Sequence, residues 1–141
     1  MRFLSSLPLL LTLLGVDSAT YFTATGTLSC DMHQPWCYYI SMVEKDTIGT
    51  FDDKIDSSGV HCVSRKDAEY KLAGWQLSDG DVIENRYYEI ELNLTHNCSC
   101  TQNEKRKIVR PVVSESVYQF RIHYDWSLNV TQDGDVVSEY W

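Results

Sequence analysis

Apolar and polar residues alternate along most of this chain with a period of two. Over residues 85–100, Tyr88, Ile90, Leu92 and Leu94 take one phase and Glu89, Glu91, Asn93 and Thr95 the other. Such alternation marks a strand with one dry face and one wet face. Residues 22–30 repeat it, with Phe22, Ala24, Gly26, Leu28 and Cys30 opposite Thr23, Thr25, Thr27 and Ser29. β-Branched threonines on a wet face suit a first strand. Residues 36–45 predict a second strand with Trp36, Tyr38, Ile40 and Met42 inward. The contrast there is weaker, because Cys37, Tyr39, Ser41 and Val43 form the other set. In residues 117–130, Tyr118, Phe120, Ile122, Tyr124, Trp126, Leu128 and Val130 share the inner phase, and Val117 falls with the polar set. That run exceeds the usual strand, which predicts a break near residues 125–127.

The remaining segments are shorter or more ambiguous. Residues 107–113 read as a short strand, and Pro111 places it at an edge or near a terminus. A turn at Asp133-Gly134 precedes a last strand over 136–141. The acidic stretch 46–59 reads as a solvated edge between strands, closed by a Ser57-Ser58-Gly59 turn. Residues 60–75 allow two readings. Ser64 and Asp67 resemble a helix N-terminus, followed by Ala68, Leu72 and Trp75 at helical spacing; alternatively, Tyr70, Leu72 and Gly74 share one strand face. Residues 76–85 form a polar turn region around Gly80. Roughly seven or eight short strands separated by turn signals predict an all-β fold, a β-sandwich with room for one short helix.

The first residues read differently. Arg2, the Leu-rich run 3–16 and the small residues Ser18 and Ala19 follow the order of a secretory signal peptide. Cleavage after Ser18 divides the 141 residues into a signal, 1–18, and one domain, 19–141. The apolar run is shorter than the roughly 20 residues a membrane span needs, so the expectation is a secreted, extracellular protein with no transmembrane segment. A net charge of −8 lacks the basic footprint of a nucleic-acid binder. Lys105, Arg106, Lys107 and Arg110 read as a solvated rim. Asn93, Asn97 and Asn129 each begin an N-glycosylation sequon.

Five cysteines, Cys30, Cys37, Cys62, Cys98 and Cys100, enter an oxidising compartment in this reading, so disulfides are the default and one thiol is left over. Cys98-Ser99-Cys100 is too tightly spaced for an ordinary zinc knuckle. Asp46, Asp52, Asp53 and Asp56 lack the EF-hand spacing. No metal or other cofactor is expected. His33, His61, His96 and His123 belong to no H-E-x-x-H motif, and no G-x-S-x-G is present. His96 reads as a packed or capping residue beside Cys98, and His123 as surface.

Thr25-Gly26-Thr27-Leu28-Ser29-Cys30, Val43-Glu44-Lys45-Asp46, the Ser58-Gly59 turn, Tyr70-Lys71-Leu72-Ala73-Gly74, and Tyr88-Glu89-Ile90-Glu91-Leu92 with His96-Asn97-Cys98 occur in this order. In that order and spacing they resemble the nematode transthyretin-like family of secreted proteins. The resemblance implies a transthyretin-like β-sandwich, a strand at 70–74 and a Cys30–Cys98 bridge. The phases agree with that bridge, since Cys30 is in step with Leu28 and Cys98 with Leu92 and Leu94. Cys37, Cys62 and Cys100 stay unassigned. The function implied is a disulfide-stabilised, glycosylated extracellular binding protein without catalytic activity, its partner an extracellular or cell-surface protein or a small ligand. The alternatives are a hydrolase related to transthyretin-fold ureide hydrolases, whose C-terminal Tyr-Arg-Gly-Ser is replaced here by Ser-Glu-Tyr-Trp, or a carrier of a small apolar ligand. Trp36, Tyr38, Tyr39, Trp75, Tyr87, Trp126, Tyr140 and Trp141 supply aromatic surface to anchor a partner where they are exposed; those on inward faces fill the core, and Trp141 is the expected exception. Loops then offer the binding surface.

Overall fold

The computed structural model describes residues 19–32, 34–45, 52–77, 86–101, 103–138 and 141. The expected signal segment, the Gly80 turn, His33, Asp46 and Tyr140 lie outside these residues. Nine strands form among the described residues: β1 Ala19–Ser29, β2 Trp36–Glu44, β3 Asp53–Val63, β4 Asp67–Leu77, β5 Tyr87–His96, β6 Lys105–Ser116, β7 Arg121–Asp125, β8 Leu128–Asn129 and β9 Asp135–Val137. They build two sheets. Sheet A has the order β4-β1-β7, with β8 also paired to β1, and sheet B has the order β3-β2-β5-β6-β9. This is the two-layer sandwich that the alternation predicts. The short helix does not occur among the described residues.

In sheet A, β1 buries Thr20, Phe22, Ala24 and Leu28 and turns Thr23, Thr25 and Thr27 outward. It runs antiparallel to β4 from Ala19↔Leu77 to Ser29↔Asp67, and parallel to β7. β4 resolves the ambiguous segment. Ala68, Tyr70, Leu72 and Gln76 are buried at a spacing of two, whereas the helical reading needs Trp75 inside, and Trp75 is 54% exposed. The long alternation breaks between β7 and β8, where the Trp126 peptide crosses beneath β1. A Cβ on Gly26 would sit 2.2 Å from the Trp126 carbonyl oxygen. That carbonyl accepts a hydrogen bond from the Tyr70 hydroxyl at 2.9 Å. Glycine is required here by close approach. The start of the same run departs from expectation. Tyr118 and Phe120 lie in the turn before β7 and are 73% and 69% exposed, while Val117 is buried. Alternation continues through a turn on paper, but a turn does not preserve the face.

Sheet B buries Trp36, Tyr38, Ile40 and Met42 from β2 and Tyr88, Ile90, Leu92 and Leu94 from β5. The solvated edge expected between strands over 46–59 is, from Asp53 onward, itself the edge strand β3. Tyr39 pairs with Val60 and Ser41 with Ser57, so Ser58 and Gly59 together face Ile40. Gly59 (φ 70°) therefore lies in a β-bulge within the strand, not in a closing turn. The Ser58 hydroxyl accepts the Ile40 N–H at 3.1 Å. β3 also covers the outer edge of β4: the Asp56 carboxylate accepts the Ala73 N–H at 2.8 Å. β6 carries a register shift opposite residues 90–92, the neighbourhood of Pro111, which suits a proline at a half-open edge. Phe22 meets Tyr88 edge to face at 5.3 Å, joining the two layers in one core.

Candidate functional site

One pole of the sandwich is a covalent brace. Cys30, just beyond β1, is bonded to Cys98, just beyond β5, across 68 residues of sequence. In the chain-entropy account such a loop contributes about 4 kcal/mol. His96, fully buried, packs beside it. The Cys98 N–H donates to Nδ1 at 3.1 Å, which makes Nε2 the protonated nitrogen, and Nε2–H donates to the Asp133 carbonyl at 3.1 Å. Burial pushes the imidazole down to a pKa of about 4. It is a neutral strut. Asn97 is a clamp as well: its Oδ1 accepts the Cys37 N–H at 2.7 Å, and its own N–H donates to the Cys37 carbonyl at 3.1 Å.

A second bridge joins Cys37 and Cys62, which face each other across β2 and β3. Cys100 keeps a free, exposed thiol. The three sequon asparagines fall in different settings. Asn93 sits mid-strand on the outer face of sheet B, its amide bonded to Glu91 at 2.8 Å. Asn129, exposed on β8, donates to Asp31 at 2.6 Å. Asn97 is engaged as described, and Ser99 of its sequon is buried with its hydroxyl donated to the Thr101 carbonyl.

The described histidines do not converge. The ring of His61 stacks on Tyr38 and its Nε2–H donates to the Ser58 carbonyl at 2.7 Å. His123, on β7, contacts the Thr23 hydroxyl at 2.9 Å. The basic run disperses too. Arg106 binds Glu104 and the carbonyls of Gln132 and Gly134, tying down the turn before β9. Lys105 lies over the Trp141 ring, and Arg110 stacks on Tyr124. The acids of the former loop are likewise committed: Asp52 pairs with Lys45, Asp53 with Gln76, and Asp56 with β4. Among the described residues, no group of His, Cys, Asp or Glu side chains is arranged to hold a metal ion.

What the structure does concentrate is aromatic surface on the outer face of sheet A. The strand register arranges that face in rows. Leu77 and Ala19 form the first row; Trp75, Tyr21 and Arg121 the second; Ala73, Thr23 and His123 the third; Lys71, Thr25 and Asp125 the fourth. Tyr21 and Trp75 lie 4.7 Å apart, Trp75 meets Phe120 at 5.9 Å, and Arg121 lies over the Tyr21 ring at 5.7 Å. Leu77 is 62% exposed. With three-quarter to half exposure of aromatics burying 150–250 Å² each, Trp75, Phe120 and Leu77 present on the order of 350 Å² of apolar surface. No carboxylate occurs in the first three rows, although the chain carries a net charge of −8. Sequence reading assigned Phe120 to the core and left Trp75 between helix and strand. Trp75 is in phase with Lys71 and opposite to Leu72, and that signal becomes readable once β4 is recognised as a strand.

The fold and its bridges define a disulfide-braced β-sandwich. Over residues 25–138 the chain matches, and belongs to, the family described as Caenorhabditis elegans protein of unknown function (DUF870). It is similar to uncharacterized protein B0416.7 of Caenorhabditis elegans, 35% identical over 78 residues, which cover 55% of this chain and 55% of that protein. The chain thus matches about half the length of this relative. No solved structure matches. These findings correct the resemblance to the nematode transthyretin-like family, to which no match is found. Two of the segments that carried it, Gly26–Cys30 and His96–Cys98, seat the Cys30–Cys98 bridge, and a bridge between two strands is not particular to one family. The hydrolase and carrier alternatives lose the support they drew from that resemblance.

Proposed function

We propose that this protein is a secreted, glycosylated extracellular binding protein that engages its partner through the aromatic end of sheet A. The carrying observation is the cluster of Tyr21, Trp75 and Phe120 with Arg121 on a sheet face that no other described residue covers. Tryptophan, tyrosine and arginine are the residues that most often anchor protein interfaces. Two disulfides support an extracellular setting. Glycans at Asn93 and Asn129 would stand on the outer face of sheet B and at the far end of sheet A, leaving the aromatic rows clear. The depressions on the surface are open; one of about 600 Å³ is lined by Thr25, Thr27, Glu69, Tyr70, Lys71 and Asp125 among others. They suit recognition better than enclosure of an apolar ligand. The described histidines serve as struts and surface bonds, so no catalysis is assigned.

Proximity labelling with the secreted full chain in the animal tests this reading. Reproducible extracellular neighbours should be recovered with the wild type and lost with Trp75→Ser/Phe120→Ser. Retention of the same neighbours by that variant would remove the aromatic face from the account.

A further inference from the structure

We infer that the partner seated on the aromatic face is a second copy of this chain, an inference that rests on that face being an interaction surface. The argument is one of charge and register. Consider a two-fold axis lying in the contact plane and parallel to β1. It places β4 of each copy over β7 of the other while keeping every row opposite itself. The second row then sets Trp75 against Arg121 of the other copy, a cation over an aromatic ring. The third sets Ala73 against His123, and the fourth sets Lys71 against Asp125. Both strands contribute to both halves of the contact, so the pattern is self-complementary, as an isologous interface requires.

An axis across the strands through the middle of β1 would instead bring Trp75 and Tyr21 over Glu69 and Thr27, and Leu77 and Ala19 over Asp67 and Ser29. That arrangement buries a carboxylate against rings and is disfavoured. A lipid surface fits less well, because Asp53 and Glu115 lie at the same end of the sandwich, where β3 begins and β6 ends. The face also suits this partner in its neutrality. Two chains of net charge −8 repel at long range, but the rows in contact oppose no two carboxylates, and the far charges are screened within about 8 Å at physiological salt.

The contact is small. Four rows across three strands measure about 20 Å by 14 Å, and the pair buries on the order of 1,000 Å² in total, at the low end of specific interfaces. An interface at this end of the size range is weak and concentration-dependent. Asn129 lies opposite Ser29, about 26 Å along β1 from Tyr21, so a glycan there borders the contact without entering it.

Sedimentation equilibrium of the full secreted protein from about 1 to 100 µM tests the pairing. Wild type should dimerise in this range. Trp75→Ser, Lys71→Asp and Asp125→Lys should each weaken it about tenfold or more, and Lys71→Asp/Asp125→Lys should restore it, since the exchanged charges meet again. A wild type that stays monomeric throughout, or a dimer indifferent to Trp75 and to the charge exchange, overturns self-pairing. If such a monomer still showed Trp75-dependent labelling of neighbours in the animal, the aromatic face would stand as a binding surface for a different protein and only the second copy would be rejected.

Discussion

Lowering the pH from 7 to 5 should remove about 2 kcal/mol of stability through His96 alone. The imidazole is fully buried, its Nδ1 accepts the Cys98 N–H, and burial holds its pKa at about 4. In the unfolded chain the same group titrates near 6.5. Between these values the unfolded state binds a proton that the folded state refuses, so stability rises with pH across that window. The contribution is therefore complete above about 6.5, falls as the pH drops, and stops falling below about 4. Linkage with these two values gives a loss of about 2 kcal/mol at pH 5 and about 3 kcal/mol at the acid limit. Urea denaturation of wild type and His96→Gln at a series of pH values isolates this effect, since other titrating groups are common to both. The variant should be less stable at pH 7 by about 1–3 kcal/mol, the cost of disturbing a buried hydrogen bond, and the gap should close as the pH falls toward 4. Parallel curves over that range would refute the assignment of His96 as a buried neutral strut.

Other expectations follow from single contacts. Gly26→Ala should destabilise by about 2–4 kcal/mol in urea melts, because the Trp126 backbone occupies the space a methyl needs. Tyr70→Phe should cost about 1–3 kcal/mol, the price of leaving the Trp126 carbonyl without its donor. Cys30→Ser should cost about 4 kcal/mol in the same assay, whereas Cys100→Ser, at an exposed free thiol, should change stability by less than about 0.5 kcal/mol. Glycopeptide mass spectrometry of the secreted protein should find sugar on Asn93 and Asn129 and little on Asn97. An unmodified Asn93 together with a modified Asn97 would reverse the reading of that strand.

The central strands were legible because each has one buried face. In β1, β2 and β5 the large inward residues read directly from the chain are buried in the structure, from Phe22 to Leu94, and Ser41, read as outward, is buried with them. β3 was obscured by its position. An edge strand needs no continuous dry face, and the two-residue bulge at Ser58-Gly59 interrupts what alternation there is. Pairing of Cys37 with Cys62 depends on that register, so it could not be reached before β3 was known. β4 was ambiguous because an outward tryptophan mimics helical spacing. Phe120 was misplaced because it lies in the turn that leads into β7, and nothing in the period of two records where a turn ends. The surface proposed for binding includes both of these aromatics, Trp75 and Phe120, beside Tyr21 and Arg121. A core leaves periodic traces in sequence, and an interface on the opposite face of a strand leaves only an exception to the period.

Photo-cross-linking from position 120 tests that surface most directly. A photoreactive phenylalanine analogue would replace Phe120 in the secreted protein, with the same analogue at Val109, exposed on sheet B, as the comparison. Irradiation in the animal should give a discrete covalent adduct from position 120, weakened by Trp75→Ser, and no comparable adduct from position 109. Absence of a position-120 adduct, or equal adducts from both positions, would contradict the claim that the aromatic end of sheet A is where this protein binds.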